Sequence, residues 1–352
     1  MRGHRASQSL TNADIAERLA LEGEAATGPL QKAFRRAARA AFLWPEEAAA
    51  VAVAGRSLTE LPGIGPYMEK KILAWFDEGG APIEPPELRR GFFTMARARA
   101  LLYSQPAWRA GLRGDLQMHT TWSDGSGSVL DMAEAAEERG YEYIAITDHA
   151  KGLKIAGGID EAELAQQGKE IDSVNRGLAA AGRKVRVLRS LEMNLNPRGE
   201  GDMSASSVAR LDLVLGCFHS ALRKTDDQTS RYLAALRNPS IQILGHPKGR
   251  IFNYRPGLSA NWAEVFAAAA ELGKAVEIDA YPDRQDLSGD LVRMAAKAGC
   301  HISLGTDSHH RWQLGFIDLG LASACDAGIK RSKILNFMSK EKLLEWVSRV
   351  RS

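Results

Sequence analysis

The pattern of apolar and polar positions changes near residue 113. Residues 11–80 are dense in alanine and lack strand-like alternation, which predicts helices joined by short turns. Residues 81–112 hold Pro82, Pro85 and Pro86 and then the run FFTMARARALLY, which reads as a linker followed by a short helix. From Arg113 onward, short runs rich in Val, Ile and Leu take over: DLQMH (115–119), YIAIT (143–147), VRVLRSLEM (185–193), LDLVLGCFH (211–219), IQILGH (241–246), AVEIDA (275–280) and HISLGT (301–306). Helical stretches at 128–139, 160–181, 226–237, 260–272 and 288–299 lie between most of them. That alternation predicts a parallel sheet or an α/β barrel. No short-period repeat is visible, which excludes a solenoid.

Composition changes this picture little. A chain of 352 residues suits two domains, and 45% hydrophobic with 25% charged residues is ordinary for a globular protein. No apolar run reaches the length of a membrane span, and the start lacks the apolar core of a signal peptide, so no membrane partner is expected. Cys217, Cys300 and Cys325 are sparse and have no metal-type spacing, as expected in a reducing cytoplasm. The net charge of +3 is unevenly placed: residues 1–112 carry 15 Lys/Arg against 12 Asp/Glu, and the remainder balances. Attraction for nucleic acid is therefore expected in the N-terminal third.

The polar residues of the second region sit at strand ends. His119 ends the first strand, with Asp124 in the loop beyond; Asp148 and His149 follow the second; Glu192 lies in the third. His219 and His246 end the next two, and Asp307 and His309 follow the last. Five of the eight histidines fall at such ends, whereas His4, His301 and His310 do not. In parallel barrels that edge is where sites are built. Neutral imidazole suits zinc, iron and manganese, and carboxylates bridge cations and offset their charge. Two or three such cations would bind a phosphate, lower the pKa of a bound water and stabilise the leaving oxygen.

The motifs GDLQMHTTWSDGSGS, YIAITDHA, SLEMN, LGCFHS, LGHPKGR, VEIDAY and LGTDSH, in this order, resemble the polymerase-and-histidinol-phosphatase (PHP) family. They are most similar to the C-terminal PHP domain of bacterial family X DNA polymerases, over roughly residues 113–345. The resemblance implies a distorted (β/α)7 barrel over 113–352 with a centre of three divalent metals, manganese, zinc or iron. The ligands it implies are His119, Asp124, His149, Glu192, His219, His246, Asp307 and His309, with Glu192 bridging two ions. It places Asp307, His309 and Glu192 nearest the chemistry. This chain departs from the family's His-x-His at Gln117-Met118-His119, and Asn194 stands where an Asp is common. An amide is a weaker ligand than imidazole, so one metal position is in question.

SLTELPGIGPYMEKKI (57–72) resembles a helix-hairpin-helix motif, with Gly63 and Gly65 in the hairpin and Pro66 near the start of its second helix. Glycines allow close backbone approach to a DNA phosphate, and amides at a helix start favour an anion. Lys32, Arg35, Arg36 and Arg39 fall on one helical stripe, in a segment that resembles the N-terminal domain of family X polymerases. Residues 1–80 are thus expected as a small all-α DNA-binding domain and 81–112 as a linker, with no room for a polymerase palm. Lys248 and Arg250, after the His246 strand, are expected to hold substrate phosphate. The reading is a cytoplasmic metal-dependent phosphoesterase acting on DNA ends, by attack of metal-bound hydroxide on phosphorus. The alternatives are a small-molecule phosphatase of the histidinol-phosphatase type and a catalytically decayed DNA-binding protein.

Overall fold

The computed structural model describes residues 10–79 and 82–351. The chain forms two compact units, Met1–Ser104 and Gln105–Ser352. The first is helical, with α1 (Asn12–Ala25), α2 (Gly28–Ala41), α3 (Ala48–Val53), α4 (Pro66–Glu78) and α5 (Met95–Ser104). Local sequence sets the ends of these helices. Thr11 and Asp14 form a reciprocal capping box on α1, and Pro66 opens α4 behind Gly65. Phe34, Ala37, Ala38 and Ala41 turn one face of α2 into a core completed by Ile15, Leu19, Trp44, Val51 and Ile72.

The segment expected as a linker is divided between the units at Ser104. Arg89 is buried in the first unit, where its Nε and Nη2 each meet a Glu17 carboxylate oxygen at 2.8 Å. Such a pair ties residues 72 apart in the chain, so the prolines interrupt helix here without releasing the backbone as a tether.

The second unit starts with α6 (Pro106–Gly111) and continues through β1 (Gly114–Asp115), α7 (Val129–Glu138), β2 (Tyr143–Ile146), α8 (Glu161–Ala180), β3 (Arg186–Arg189) and β4 (Glu192–Asn194). It goes on through α9 (Ala205–Val208), β5 (Leu215–Cys217), α10 (Thr229–Arg237), β6 (Ile243–Leu244), α11 (Trp262–Glu271) and β7 (Ala275–Asp279). The last elements are α12 (Gly289–Ala298), β8 (His301–Gly305), α13 (Ile317–Asp326) and α14 (Lys340–Arg351). All the strands pair in parallel and in chain order, β1 to β3 in one sheet and β4 to β8 in another. The seven expected strands are present, the third being broken at Ser190 and Leu191 into β3 and β4. Two isolated parallel bridges, His149 to Glu192 and Met118 to Ser308, join the sheets at both edges and close a distorted (β/α)7 barrel.

Two apolar clusters hold it. Val129 and Met132 of α7 pack with Ile144, Ile146 and Val187. Leu116, Tyr143, Ala145, Leu188, Leu215 and Cys217 form the other, against Leu343, Trp346 and Val347 of α14. Each such side chain contributes about 1.5–3 kcal/mol by leaving water. Among the described residues no helix is long and apolar enough to cross a membrane.

Candidate metal centre

Strand parity directs the polar groups inward. Leu213, Leu215 and Cys217 belong to the cluster that α14 covers, and the same alternation carries on to His219. Leu188 lies in that cluster too, and Glu192 follows it at even spacing across the break. Room at the centre comes from Gly305, where a Cβ would stand 2.4 Å from Glu277 Oε1 and 2.6 Å from Gln117 Cβ.

Glu192, fully buried, stands at the middle. Its Oε1 lies 2.7 Å from His219 Nε2 and 2.8 Å from His246 Nε2. Its Oε2 accepts from Gln117 Nε2 at 3.0 Å and lies 3.3 Å from His119 Nε2. His119 Nε2 also meets Asp307 Oδ1 at 2.9 Å. Nearer the surface, Asp124 Oδ1 lies 3.3 Å from His309 Nε2 and 3.6 Å from His149 Nε2. The rings of His149 and His309 each stack on His119, at 4.3 and 4.4 Å. All eight residues named as ligands from the sequence are therefore in one cluster.

Four sets of donor atoms lie within 4.8 Å of one another: His119, Asp124, His149 and His309; His149, Glu192 and His219; Glu192, Cys217 and His246; and His119, Glu192 and Asp307. A cation held at about 2.0–2.3 Å from each ligand places them up to ~4.5 Å apart, so the sets fit metal ions. The buried Nδ1 of His149, 3.7 Å from Glu192 Oε2, has no hydrogen-bond partner among the described residues, which also suits ligation.

The charges point the same way. Burial would raise the Glu192 carboxyl, but the imidazoles of His149 and His246, with contacts from His119 and His219, hold it well below the usual carboxylate range. Asp307 is lowered too, because Arg284 and His119 outweigh its burial. Burial lowers His149 to about 4, leaving its imidazole neutral and able to bind a cation. Burial lowers His119 as well, but Asp307 and Glu192 win and raise it well above its ordinary value. Proton and metal therefore compete for that ring.

Outer partners aim the imidazoles. His219 Nδ1 donates to Asn194 Oδ1 at 2.6 Å, and His309 Nδ1 donates to the Asp307 carbonyl at 2.7 Å, each turning Nε2 inward. His246 and Asp307 adopt left-handed backbone conformations, φ 23° and 52°, a strain of about 1–3 kcal/mol each.

Several features were not legible from sequence. Gln117 donates its amide hydrogen to Glu192 and so acts on the shared carboxylate. Cys217, one of the cysteines without metal-type spacing, is buried with its sulfur within 4.8 Å of ligand atoms of Glu192 and His246. Glu277 and Asp279 are pushed well above the carboxylate range, first by burial. Arg284 was missed: its Nε lies 3.0 Å from Asp307 Oδ2 and 3.6 Å from Asp279 Oδ2. Its place just past a strand ending in VEIDA was the available signal. Arg250, expected at substrate phosphate, is buried instead, with Nε donating to the Arg284 carbonyl at 3.0 Å. Lys248 is half-buried.

In the helical unit, Gly63 has φ 82°, and a Cβ there would stand 3.1 Å from Ala40 Cβ on α2. Gly65 precedes the first turn of α4. Lys32, Arg35, Arg36 and Arg39 are all exposed along α2.

A cluster of imidazoles and carboxylates at the carboxyl mouth of a parallel barrel is a candidate centre for divalent metal ions. Residues 115–281 match the PHP domain, so this part of the chain belongs to that family. It is 33% identical over 275 residues to "DNA polymerase/3'-5' exonuclease PolX" of Bacillus subtilis, an alignment covering 77% of this chain and 46% of that protein. The chain thus spans about half of that relative's length. It is 27% identical over 245 residues to a "Probable phosphatase" of Acetivibrio thermocellus, covering 67% of this chain and 95% of that one. Among solved structures it is similar to histidinol phosphate phosphatase from Lactococcus lactis, crystallised with zinc, L-histidinol and phosphate. That match has a TM-score of 0.45 and 18% identity, over 62% of this chain and 94% of that one.

Proposed function

We propose that this protein hydrolyses phosphoester bonds at DNA ends, removing 3′ nucleotides or a 3′-phosphate, with the helical unit binding the DNA backbone. The observation that carries the reading is the hairpin between α3 and α4, with Gly63 at positive φ, accompanied by four exposed basic side chains on α2 in the chain that holds the metal centre. Such contacts bind phosphates without reading bases. The alignment to the PolX protein supports it, because 275 residues exceed the whole second unit and so reach into the helical one.

Three divalent cations, of manganese, zinc or iron, would be held by Glu192, His119, Asp307 and the other residues of this cluster; when bound they would supply phosphate binding and an activated water. The chain's own residues do the rest. Asp124 and His309, with side chains 36% and 29% exposed, face the incoming phosphate, while Glu192 and Asp307 lie beneath. Arg284 adds a fixed positive charge beside Asp307.

A second reading, a phosphatase of small phosphomonoesters, is favoured by the probable phosphatase, whose 245 aligned residues come close to the size of the barrel unit alone. End-labelled single- and double-stranded DNA, incubated with the full chain and manganese beside histidinol phosphate, separates the two. Metal-dependent release from DNA, lost in the Asp307→Asn, His309→Ala double variant, is expected. Turnover of histidinol phosphate with intact DNA would select the second reading.

A further inference from the structure

Beside the metal cluster lies an aromatic series that the chemistry above does not use. The Tyr281 ring stands 6.4 Å from that of His309, edge to face. Phe316, buried, meets Tyr281 at 5.4 Å and Trp312 at 5.3 Å, both edge to face. Trp312 is 58% exposed, unusual for the largest apolar side chain. It is not on a mobile arm: it follows His309 by three residues in the turn Arg311–Phe316, and Gln313 Oε1 accepts from the His309 amide at 2.7 Å. The chain thus presents an indole at the rim of its metal centre and braces it from behind.

Arg284 supplies an independent observation. Its Nε faces Asp307 and Asp279, yet among the described residues its terminal guanidinium nitrogens make no hydrogen bond, and a quarter of the side chain remains exposed. Guanidinium donors there suit an oxyanion such as phosphate.

We propose that the rim is a nucleoside subsite: Trp312, with Tyr281, stacks on the base of the nucleotide whose phosphate lies against Arg284 and the metal cluster. A nucleotide separates base from phosphate by one sugar; Tyr281 stands beside His309, and Phe316 links it to Trp312. This deepens the DNA-end reading and rests on it. The ligand class is a nucleotide with any base, because stacking needs only a π face.

The test is calorimetric titration of the manganese-loaded full chain with thymidine 5′-monophosphate, 2-deoxyribose 5-phosphate and inorganic phosphate. The nucleotide should bind roughly five- to a hundredfold more tightly than the sugar phosphate. Trp312→Ala should abolish most of that preference while the sugar phosphate binds as before. Tyr281→Phe should keep the preference and Tyr281→Leu reduce it. Arg284→Gln should weaken all three ligands together. Equal affinity of nucleotide and sugar phosphate in the unmodified protein overturns the proposal, as does a uniform loss in Trp312→Ala. Oligonucleotides ending in a normal or an abasic 3′ nucleotide distinguish the two readings. Equal cleavage of both ends removes the subsite and leaves the DNA-end activity; a nucleotide preference with no cleavage of DNA keeps the subsite and removes that activity.

Discussion

Replacing Glu192 by Gln should separate the four ligand sets, because three contain that carboxylate and the set His119, Asp124, His149 and His309 does not. The amide keeps the shape but loses the charge. It also places an NH2 where an oxygen now faces His219 and His246, or accepts from Gln117. The structure sets the scale. Removing one member of a buried charge pair costs about 3–5 kcal/mol, which at about 1.4 kcal/mol per decade is a loss of roughly two to three and a half decades of affinity at each of the three sets. The fourth set should weaken less than tenfold. Elemental analysis after passage through a chelator-buffered manganese or zinc series reads both numbers, with far-ultraviolet dichroism checking that the barrel persists. Asp124→Asn is the mirror experiment and should spare the sets around Glu192. If Glu192→Gln retains full metal content at unchanged affinity, a centre organised on the shared carboxylate is refuted.

Other outcomes follow from the same geometry. Asn194→Ala removes the acceptor at His219 Nδ1 and should weaken metal binding about 10–100-fold, whereas Asn194→Asp should retain it, as metal titration would show. Asp115, fully buried, accepts from Thr306 Oγ1 at 2.6 Å, and burial raises it to about 6. The folded form therefore holds a proton that the unfolded chain releases near pH 4. Stability from this group is present below pH 4 and lost as pH rises through 6, by about 3 kcal/mol. In urea unfolding, Asp115→Asn should gain that much on the unmodified protein between pH 4 and 7; parallel curves would contradict it. Alanine at Lys32, Arg35, Arg36 and Arg39 together should flatten the dependence of log DNA affinity on log salt by roughly 3 to 4, measured by anisotropy. An unchanged slope would place DNA elsewhere. Arg89→Ala leaves Glu17 buried without its bidentate partner and should destabilise the helical unit by about 3–5 kcal/mol in thermal unfolding.

The strands and most of the clustered polar residues are legible in the sequence because parallel strands leave short Val, Ile and Leu runs, and their carboxyl ends carry His119, His149, His219 and His246. The break at Ser190 and Leu191 is not, because VRVLRSLEM alternates without interruption and only tertiary pairing splits it. Arg250 and Arg284 show the limit most clearly. Both follow strand ends and both are cationic, so sequence position ranks them equally. Only the hydrogen bond from Arg250 to the Arg284 backbone shows that one holds the loop and the other meets Asp307. Residues 81–104 mislead for a similar reason: prolines signal an interruption of helix, but the burial of Arg89 against Glu17 depends on a residue far away in the chain.

The barrel's two sheet junctions and its candidate centre coincide. The sheets meet at the bridges His149–Glu192 and Met118–Ser308, where the amides of Ala150 and His119 donate to the carbonyls of Glu192 and Ser308 at 3.1 and 2.8 Å. Both seams lie at the candidate centre, and the carboxylates and imidazoles there occupy positions that a stability-driven sequence would fill with apolar side chains. Left-handed backbone at His246 and Asp307 adds strain in the same region. Cations bridging Glu192, His119 and Asp307 would therefore cross both seams at once. Metal binding should stabilise the barrel unit as a whole, and not merely the loops that carry the ligands.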